Sequence, residues 1–335
     1  MAAKSSKQIL YAKAPEGWVD ESCFRLAEAP IPEPGEGQVL VETHYLSIDP
    51  YMRRAMGSSA YGPLKPGAIM IGRGAGVVIE SRHPDFKPGD AVQSEFGWRE
   101  HVVLNGKGLR KLPAELKPLS LSVGVVGQSG ATAYVGLMDV ARMKAGDTVA
   151  VSAAAGAVGS VVGQIAKLMG CRAIGIAGGP EKCRHVVEDL GFDACVDYKA
   201  GPIGPALAKA APGGLDVYFD NVGGEILDAV LERMNEDGRV AICGLISEYN
   251  SEPRGIRVRA VLDKSLTITG FRIGQRLDRR DHALDQLFRW WRDGKLHYRE
   301  TVAEGIESAP AALINMLRGG NYGKQVVRLA AAAPR

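Results

Sequence analysis

The sequence predicts an α/β protein in which a doubly wound parallel sheet, with helices on both faces, follows a β-rich domain. Three observations predict it. Six apolar runs alternate with helical stretches beyond about residue 123, and short extended runs broken by Gly and Pro fill the first third. Residues 147–163, DTVAVSAAAGAVGSVVG, pass from a buried-strand pattern through a glycine turn into a helix. The length of 335 residues suits two domains.

The first third of the chain is predicted to be a compact β domain. Its extended runs span residues 38–44, 75–80, 91–94 and 100–104, and the turn sequences EPGEG, KPG and KPGD separate or precede them. Short strands punctuated by Gly and Pro at this spacing are typical of β structure rather than of helices.

The alternating part predicts an open parallel sheet, and the carboxyl ends of its strands are the expected place for a ligand. A helix at about 279–293 follows, and we expect the tail, with a final strand at 325–329, to fold back onto the first domain. Residues 1–127 and 298–335 are therefore assigned to the β-rich domain and 128–297 to the doubly wound domain. The six predicted strands are 148–152, 171–177, 194–198, 216–221, 239–244 and 266–271.

Composition argues against several classes of function. The net charge is +3 and no cluster of Lys and Arg lies among aromatic residues, which argues against nucleic-acid or membrane partners. No apolar run reaches the roughly 18 residues of a membrane span, and the first residues lack the apolar core of a secretory signal. The five scattered cysteines form no CxxC pair, so neither a disulfide framework nor a structural zinc site is expected, and we expect a cytoplasmic protein.

The glycine turn is the strongest indication of a ligand. Gly156 lets the backbone approach a pyrophosphate and Gly159 lets the helix pack close to the strand, while Ala154 occupies the usual first-glycine place. The phosphates would lie against amide groups at the helix N-terminus. A tight strand-to-helix turn without a ligand is the alternative, but the order of strand, turn, helix and further strands favours a dinucleotide.

The next strand indicates which dinucleotide binds. It ends in Gly178-Gly179-Pro180, without the acid that usually holds the ribose 2′-hydroxyl of NAD, and Lys182 lies just beyond. A lysine there complements a 2′-phosphate, so the expected cofactor is NADPH. Lys182 as a solvated helix residue is the alternative. Tyr198 either covers the phosphate or the adenine, or belongs to the core.

Two polar turns follow later strands of the predicted sheet. They are DNVGG at 220–224 and CGLISEYN at 243–250, and each alone is only a polar turn with glycine. Together they are expected to bring Asn221, the backbone near Gly244 and the phenol of Tyr249 around one crevice.

Long motifs across nearly the whole chain carry a family resemblance. They are YLSIDPYMR at 45–53, GVVIESRHPDFKPGD at 76–90, AAAGAVGSVVGQIAK at 153–167, YFDNVGGE at 218–225, GRVAICGLISEYN at 238–250 and GGNYGKQVV at 319–327. The chain resembles the zinc-independent medium-chain dehydrogenases/reductases of the leukotriene B4 12-hydroxydehydrogenase, or prostaglandin reductase, type. Within that family, AGGPEKCRH at 177–185 and KLHYRE at 295–300 are most similar to bacterial-type curcumin reductases.

The resemblance implies a Rossmann domain with a GroES-like substrate domain, and NADPH-dependent reduction of the carbon–carbon double bond of α,β-unsaturated ketones and aldehydes. It also implies a homodimer, in which the strand at 266–271 could pair across the two-fold axis. The cofactor-binding residues that it implies are Gly156, Ala157, Val158 and Gly159 at the pyrophosphate, Lys182 and Tyr198 at the adenosine phosphate, Asn221 near the ribose, Cys243, Gly244, Ile246, Ser247 and Tyr249 along the nicotinamide half, Phe271, Arg272 and Ile273 at the nicotinamide or the substrate, and Asn321 from the tail.

No metal ligand set is expected in the β-rich domain. Zinc dehydrogenases of this architecture use Cys, His and an acid or second Cys, whereas this chain has Ser47 and Arg73 in the corresponding segments. His44, His83 and His101 have no neighbouring cysteine. Hydride transfer is therefore expected to proceed without a Lewis acid.

Without a metal, a phenol is the expected hydrogen-bond donor for the carbonyl oxygen of an enone substrate. Tyr249 is the leading candidate, and Tyr51 and Tyr61 are expected to face the substrate and to assist protonation.

Two segments depart from the family pattern near the expected substrate site: Gln128-Ser129 replaces a common Met-Pro pair, and the 250–265 loop is shorter. A quinone reductase and a non-catalytic NADPH-binding protein remain as alternatives.

Overall fold

The computed structural model describes residues 5–57, 64–251 and 255–329. The chain divides into two compact units. One consists of Met1–Gly124 with Glu300–Arg335, and the other is Val125–Arg299. Tyr61, one of the predicted substrate-facing residues, lies outside the described residues.

The elements are numbered in chain order. The strands are β1 Ser5–Tyr11, β2 Phe24–Pro30, β3 Val39–Ser47, β4 Arg73–Ser81, β5 Ala91–Glu95, β6 His101–Leu104, β7 Arg110–Lys111, β8 Thr148–Ser152, β9 Arg172–Ala177, β10 Ala194–Asp197, β11 Leu215–Asp220, β12 Met234–Ile242, β13 Thr267–Gly270, β14 Glu300–Glu304 and β15 Lys324–Arg328. The α-helices are α1 Tyr51–Ala55, α2 Gln128–Val135, α3 Gly159–Leu168, α4 Pro180–Glu188, α5 Ile203–Ala210, α6 Gly224–Leu231, α7 Val258–Asp263, α8 Leu277–Arg292 and α9 Ala309–Leu317.

The first unit is built on a seven-stranded sheet in the order β14-β15-β3-β4-β5-β7, with β6 also paired to β3. Residues near the end of the chain complete it, because β15 pairs antiparallel with β3 through Val326 and Ser47 and parallel with β14. β15 therefore has a pairing partner on each edge, and its Val326 and Val327 side chains are fully buried. The antiparallel pair β1 and β2 forms a separate ribbon that the sequence did not predict.

The second unit contains the predicted doubly wound parallel sheet, in the order β10-β9-β8-β11-β12-β13. Apolar side chains on one face of these strands form a buried cluster with α5, α6 and α7, and side chains of the other face, such as Val149, Val151 and Val217, are buried as well. The near-continuous hydrophobic runs predict this burial on both faces. At Gly163 of α3 an added Cβ would lie 1.8 Å from the Phe192 ring, so glycine sets how closely this helix packs. β12 begins at Met234 rather than at 239, because Met234 pairs with Leu215 before the ladder shifts register.

The helix predicted at 279–293 corresponds to α8, which buries Ala283, Leu284 and Leu287 on one face. None of the helices in the described part of the chain is both long and apolar enough to cross a membrane.

Candidate functional site

The site in the second unit lies where the strand order reverses, between β8 and β11. In open α/β sheets the crevice outside the carboxyl ends of strands at such a point is the usual ligand site. Ser152 ends β8, and its hydroxyl donates to the Asp220 carboxylate at 3.0 Å. The Asn221 backbone N–H donates to the Ser152 hydroxyl at 2.8 Å, and its side-chain amide donates to the Ser152 carbonyl at 2.8 Å. The two strand ends are thus joined by side-chain hydrogen bonds.

Asp220 is the centre of this network, and the sequence reasoning did not single it out as a site residue. It is fully buried, and its Oδ1 accepts the Tyr218 hydroxyl at 2.8 Å and the backbone N–H of Val222 and Gly223 at 2.9 and 3.0 Å. Burial and the adjacent carboxylate raise the pKa of Tyr218 well above its usual range, which keeps this phenol a donor. The carboxylate therefore fixes the turn that carries Asn221.

The 243–249 segment is fastened to the same turn. The backbone N–H groups of Cys243 and Gly244 donate to the Asp220 carbonyl at 2.8 and 3.1 Å, and the Ser247 hydroxyl donates to the Val222 carbonyl at 2.6 Å. A Cβ on Gly244 would lie 3.3 Å from the Asn221 carbonyl oxygen and 3.6 Å from the Tyr249 hydroxyl. Asn221, the Gly244 backbone and the Tyr249 phenol therefore lie together at the carboxyl ends of β11 and β12.

Cys243 and Ile246 lie in the same segment after β12. Burial, followed by the neighbouring Asp220 charge, raises the pKa of the Cys243 thiol to about 12. The thiol is therefore neutral near pH 7, so Cys243 lines the site as a small side chain and does not serve as a nucleophile. Ile246 begins a short 3₁₀ turn, Ile246–Glu248, that ends beside Tyr249.

The glycine turn connects β8 to α3 by a sharp backbone reversal. Ala153 adopts a φ of +51°, and the Gly156 N–H donates to its carbonyl at 2.9 Å. A Cβ on Gly159 would lie 2.3 Å from the same carbonyl oxygen, so this position admits only glycine. Val158, which precedes Gly159, makes no side-chain cap, so the first turn of α3 presents backbone groups, as an anion site requires.

A second cluster lies at the carboxyl ends of β9 and β10. A Cβ on Gly178 would lie 2.8 Å from the Tyr198 ring, so the ring rests on the glycine backbone. The Asp197 carboxylate accepts the N–H groups of Gly179 and Lys199 at 2.8 and 2.9 Å. This carboxylate therefore holds the two loops together through their backbones.

Lys182, in the first turn of α4, shares this region with Lys199. Burial and then the positive charge of Lys199 lower the pKa of Lys182. Sequence reasoning missed Lys199, although its place directly after Tyr198 was a signal. Two ammonium groups that repel each other are stabilised when an anion binds near both.

The residues that follow β13 divide between core and surface. Phe271 is buried and meets the Phe219 ring edge-on, with centroids 6.0 Å apart, and Ile273 packs with Ala131 and Val135. Arg272, between them, is exposed. The side chains at 271 and 273 are thus core residues, which leaves their backbone for contact with a ligand.

In the first unit, Tyr51 begins α1 and is half-buried. The side-chain amide of Asn321 donates to the Gly323 carbonyl at 2.9 Å, which orients this side chain just before β15. The departure at Gln128-Ser129 lies in the second unit, where Gln128 begins α2 and its carbonyl accepts the Thr132 hydroxyl at 2.8 Å.

The two residues that stand in place of metal ligands are engaged by neighbouring charges. The Ser47 hydroxyl donates to Asp49, whose carboxylate also accepts the buried Lys324 ammonium at 2.9 Å. Arg73 Nε lies 3.0 Å from a Glu95 carboxylate oxygen. Across residues 5–57, 64–251 and 255–329 no group of three or more His, Cys, Asp or Glu side chains has an arrangement that could hold a metal ion.

The fold and this site define a two-unit, dinucleotide-dependent oxidoreductase. A family model described as the N-terminal domain of oxidoreductase matches residues 7–112, and one described as zinc-binding dehydrogenase matches residues 157–289. The NADPH-dependent curcumin reductase of Escherichia coli (strain K12) is 43% identical over 335 residues, covering 97% of each chain. The chain belongs to the medium-chain dehydrogenase/reductase family, in the group that contains the curcumin and prostaglandin reductases.

Two further relatives agree with this assignment. Prostaglandin reductase 1 of Rattus norvegicus is 44% identical over 321 residues, which is 93% of this chain and 96% of its own. The crystal structure of CurA in complex with NADPH, from Vibrio vulnificus, is 40% identical and has a TM-score of 0.92, covering 97% of this chain and 100% of that one. The family resemblance predicted from the motifs is confirmed.

Proposed function

We propose that this protein uses NADPH to reduce the carbon–carbon double bond of α,β-unsaturated ketones and aldehydes. The curcumin and prostaglandin reductases among its relatives, and the NADPH complex of a related structure, support this function. The observation that carries it is the grouping of Tyr249, Gly244 and Asn221 at the switch point of the sheet, because it sets a phenolic donor beside an expected nicotinamide site.

The residues of the second unit fit NADPH. The uncapped start of α3 and the glycine-only position at 159 suit a pyrophosphate. Lys182 and Lys199 supply positive charge for a 2′-phosphate, with Tyr198 beside them. The Asp197 carboxylate ends β10, whereas the acid that holds a ribose 2′-hydroxyl is expected at the end of β9, where this chain has Gly178 and Gly179.

Further cofactor contacts are proposed at the opposite end of the site. The Asn221 turn and the 243–249 segment would hold the ribose and the nicotinamide half, with the backbone of 271 and 273 and the Arg272 side chain beyond them. We assign Asn321, in the first unit, to the same cofactor. Bound NADPH supplies the hydride.

The chemistry assigned to the tyrosines follows from where charge develops. An enone that accepts a hydride at its β-carbon gains negative charge on the carbonyl oxygen, which a positioned hydrogen-bond donor stabilises. The Tyr249 hydroxyl donates that hydrogen bond. Tyr51 and Tyr61 are assigned, as the resemblance implies, to protonation at the α-carbon. No metal ion takes part in this proposal.

We also propose that the protein is a cytoplasmic homodimer. The scattered free cysteines support a reducing compartment. β13 is an edge strand of the parallel sheet, and its unpaired side offers backbone groups to a second copy.

A labelling experiment tests the reaction. The enzyme is incubated with NADPH deuterated at C4 and a panel running from small alkenals to diarylheptanoid-like ketones, and the products are analysed by mass spectrometry and NMR. A saturated ketone labelled at the β-carbon is expected. A labelled allylic alcohol would mean carbonyl reduction instead, and NADPH oxidation with quinones but not with any enone would mean a quinone reductase.

A further inference from the structure

Two cysteines lie in contact beside the lysine pair. The Sγ atoms of Cys183, in α4, and Cys195, on β10, are 3.1 Å apart. Both are free thiols and both are partly exposed. Cys183 directly follows Lys182, and Cys195 lies two residues before Asp197, whose carboxylate joins the loops of this region.

We propose that Cys183 and Cys195 are a reversible modification site, oxidised by hydroperoxides to a disulfide that weakens the binding of NADPH. The formation of the disulfide from these two thiols does not depend on the proposed function. Its effect on the cofactor rests on the proposed function, in which Lys182 binds the 2′-phosphate.

The geometry allows the bond with a small movement. A disulfide has an S–S distance of about 2.05 Å, so the sulfurs must approach by roughly 1 Å. Cys195 is held in register opposite Gly175 of β9, and a Cβ on Gly175 would lie 3.2 Å from its sulfur. α4, by contrast, begins after Gly179, which has a φ of +96° and makes no side-chain cap. Closing the bond would shift the first turn of α4, which carries both Cys183 and Lys182.

The chemistry balances with a hydroperoxide as the oxidant. The Cys195 thiol donates to the Cys183 sulfur, which makes Cys183 the first nucleophile. Its thiolate attacks hydrogen peroxide, forming a sulfenic acid and releasing water after proton transfer. Cys195 then attacks the Cys183 sulfur, forming the disulfide and releasing a second water.

The rate of this oxidation is expected to rise with pH. Burial raises the pKa of both thiols above the usual value for cysteine, so little thiolate is present at neutral pH and more forms as the pH increases. An oxidation rate that stays flat or falls as the pH is raised would contradict attack by these thiols.

Peptide mapping tests the disulfide directly. The intact protein is treated with hydrogen peroxide, blocked with iodoacetamide and digested with a protease that cleaves after Glu. This cleavage releases residues 182–188, which contain Cys183, and 189–225, which contain Cys195, as separate peptides. A linked pair of these two peptides, lost on reduction with dithiothreitol, is expected in the wild type and in a matched Cys171→Ser control. Unlinked peptides after oxidation, or Cys183 linked to another cysteine, would overturn the proposal.

Cofactor titration tests the consequence. NADPH fluorescence gives the Kd of reduced and oxidised protein, and oxidation is expected to raise it by about three- to tenfold, reversibly with dithiothreitol. Cys183→Ser, treated with peroxide, should keep the Kd of its reduced form, because it lacks the sulfur that peroxide attacks first. A wild-type protein with a complete disulfide and an unchanged Kd would overturn the link to NADPH binding. Failure of the proposed cofactor site would appear differently, as an unchanged NADPH preference in reduced Lys182→Glu.

Discussion

At the scale of single residues, charge at the ends of β9 and β10 depends on two lysines from different elements. Lys182 comes from α4 and Lys199 from the loop after β10, and the pKa of Lys182 is lowered by burial and by the charge of Lys199. Holding two like charges together costs free energy in the empty protein. A doubly charged 2′-phosphate offsets that cost, whereas a ribose hydroxyl does not.

Lys182→Glu is therefore expected to lower kcat/KM for NADPH by about 10- to 100-fold, because it replaces a charge-assisted hydrogen bond with repulsion. The value for NADH should change little, which steady-state assays with both cofactors will show. Lys209→Glu makes the same charge change on α5, at the end of the helix distant from this cluster, and serves as the control. Equal losses with NADPH and NADH would contradict a role in phosphate recognition.

Tyr249→Phe tests the phenolic donor. Removing one donor to a developing oxyanion typically costs about 100-fold in kcat, and a loss of that order is expected with a simple enone. Single-turnover rates with saturating NADPH measure it without interference from product release. Tyr298→Phe removes an exposed phenol from the same unit and should retain wild-type kcat. Full activity in Tyr249→Phe would remove this residue from the mechanism.

At the scale of elements, one buried carboxylate orders the loops after β11 and β12. Asp220 accepts hydrogen bonds from Ser152 and Tyr218 and from the turn that follows β11, and its own carbonyl accepts from Cys243 and Gly244. The turn and the 243–249 segment therefore share one anchor. A carboxylate suits this role because it only accepts, and all of its partners donate.

Asp220→Asn is expected to lower the free energy of unfolding by about 2 kcal/mol. The substitution replaces one carboxylate oxygen, which accepts, by an NH₂ group, which would face the hydrogen-bond donors of the turn. NADPH affinity should fall with it, since the turn that carries Asn221 loses its anchor. Asp216→Asn, at the other end of β11, is the matched control: its carboxylate accepts the Thr148 N–H at 2.8 Å, so stability should fall while NADPH affinity stays unchanged. Urea denaturation and fluorescence titration separate the two effects. Wild-type NADPH affinity in Asp220→Asn would show that the anchor does not position the cofactor.

At the scale of the whole molecule, the two ends of the parallel sheet differ in their proposed roles. β10 and β13 are both edge strands. β10 carries the Tyr198 and Lys199 loop at its end, whereas β13 is the edge that we assign to self-association. An edge strand needs a cover or a partner, and a second copy of the same strand can supply one.

A homodimer is expected in solution, with a mass about twice the 35.7 kDa of the chain by light scattering. Amide hydrogen exchange of β13 should slow as protein concentration rises through the dissociation constant, because pairing protects its free backbone groups. β10 is an internal control whose exchange should not depend on concentration. A single-chain mass at every concentration would exclude the dimer.

The fold could be predicted from the sequence largely because local patterns fix it. Continuous apolar runs such as 148–152 and 171–177 predict buried parallel strands, and the observed strands match these runs to within a residue. β1 and β14 were missed because mixed sequences such as SSKQILY have no clear period of two, and their pairing partners lie elsewhere in the chain.

Some features of the candidate site likewise follow from the sequence, and others only from the tertiary structure. Residue types and spacing by themselves determined the glycine turn, the absence of an acid at the end of β9, and the family. Only the tertiary structure decided that Asp220 anchors two loops, that Lys199 lies near Lys182, and that the thiols of Cys183 and Cys195 touch. The physical reason is that backbone conformation and burial follow from neighbours in the sequence, whereas electrostatic and hydrogen-bond contacts depend on which strands the sheet brings side by side.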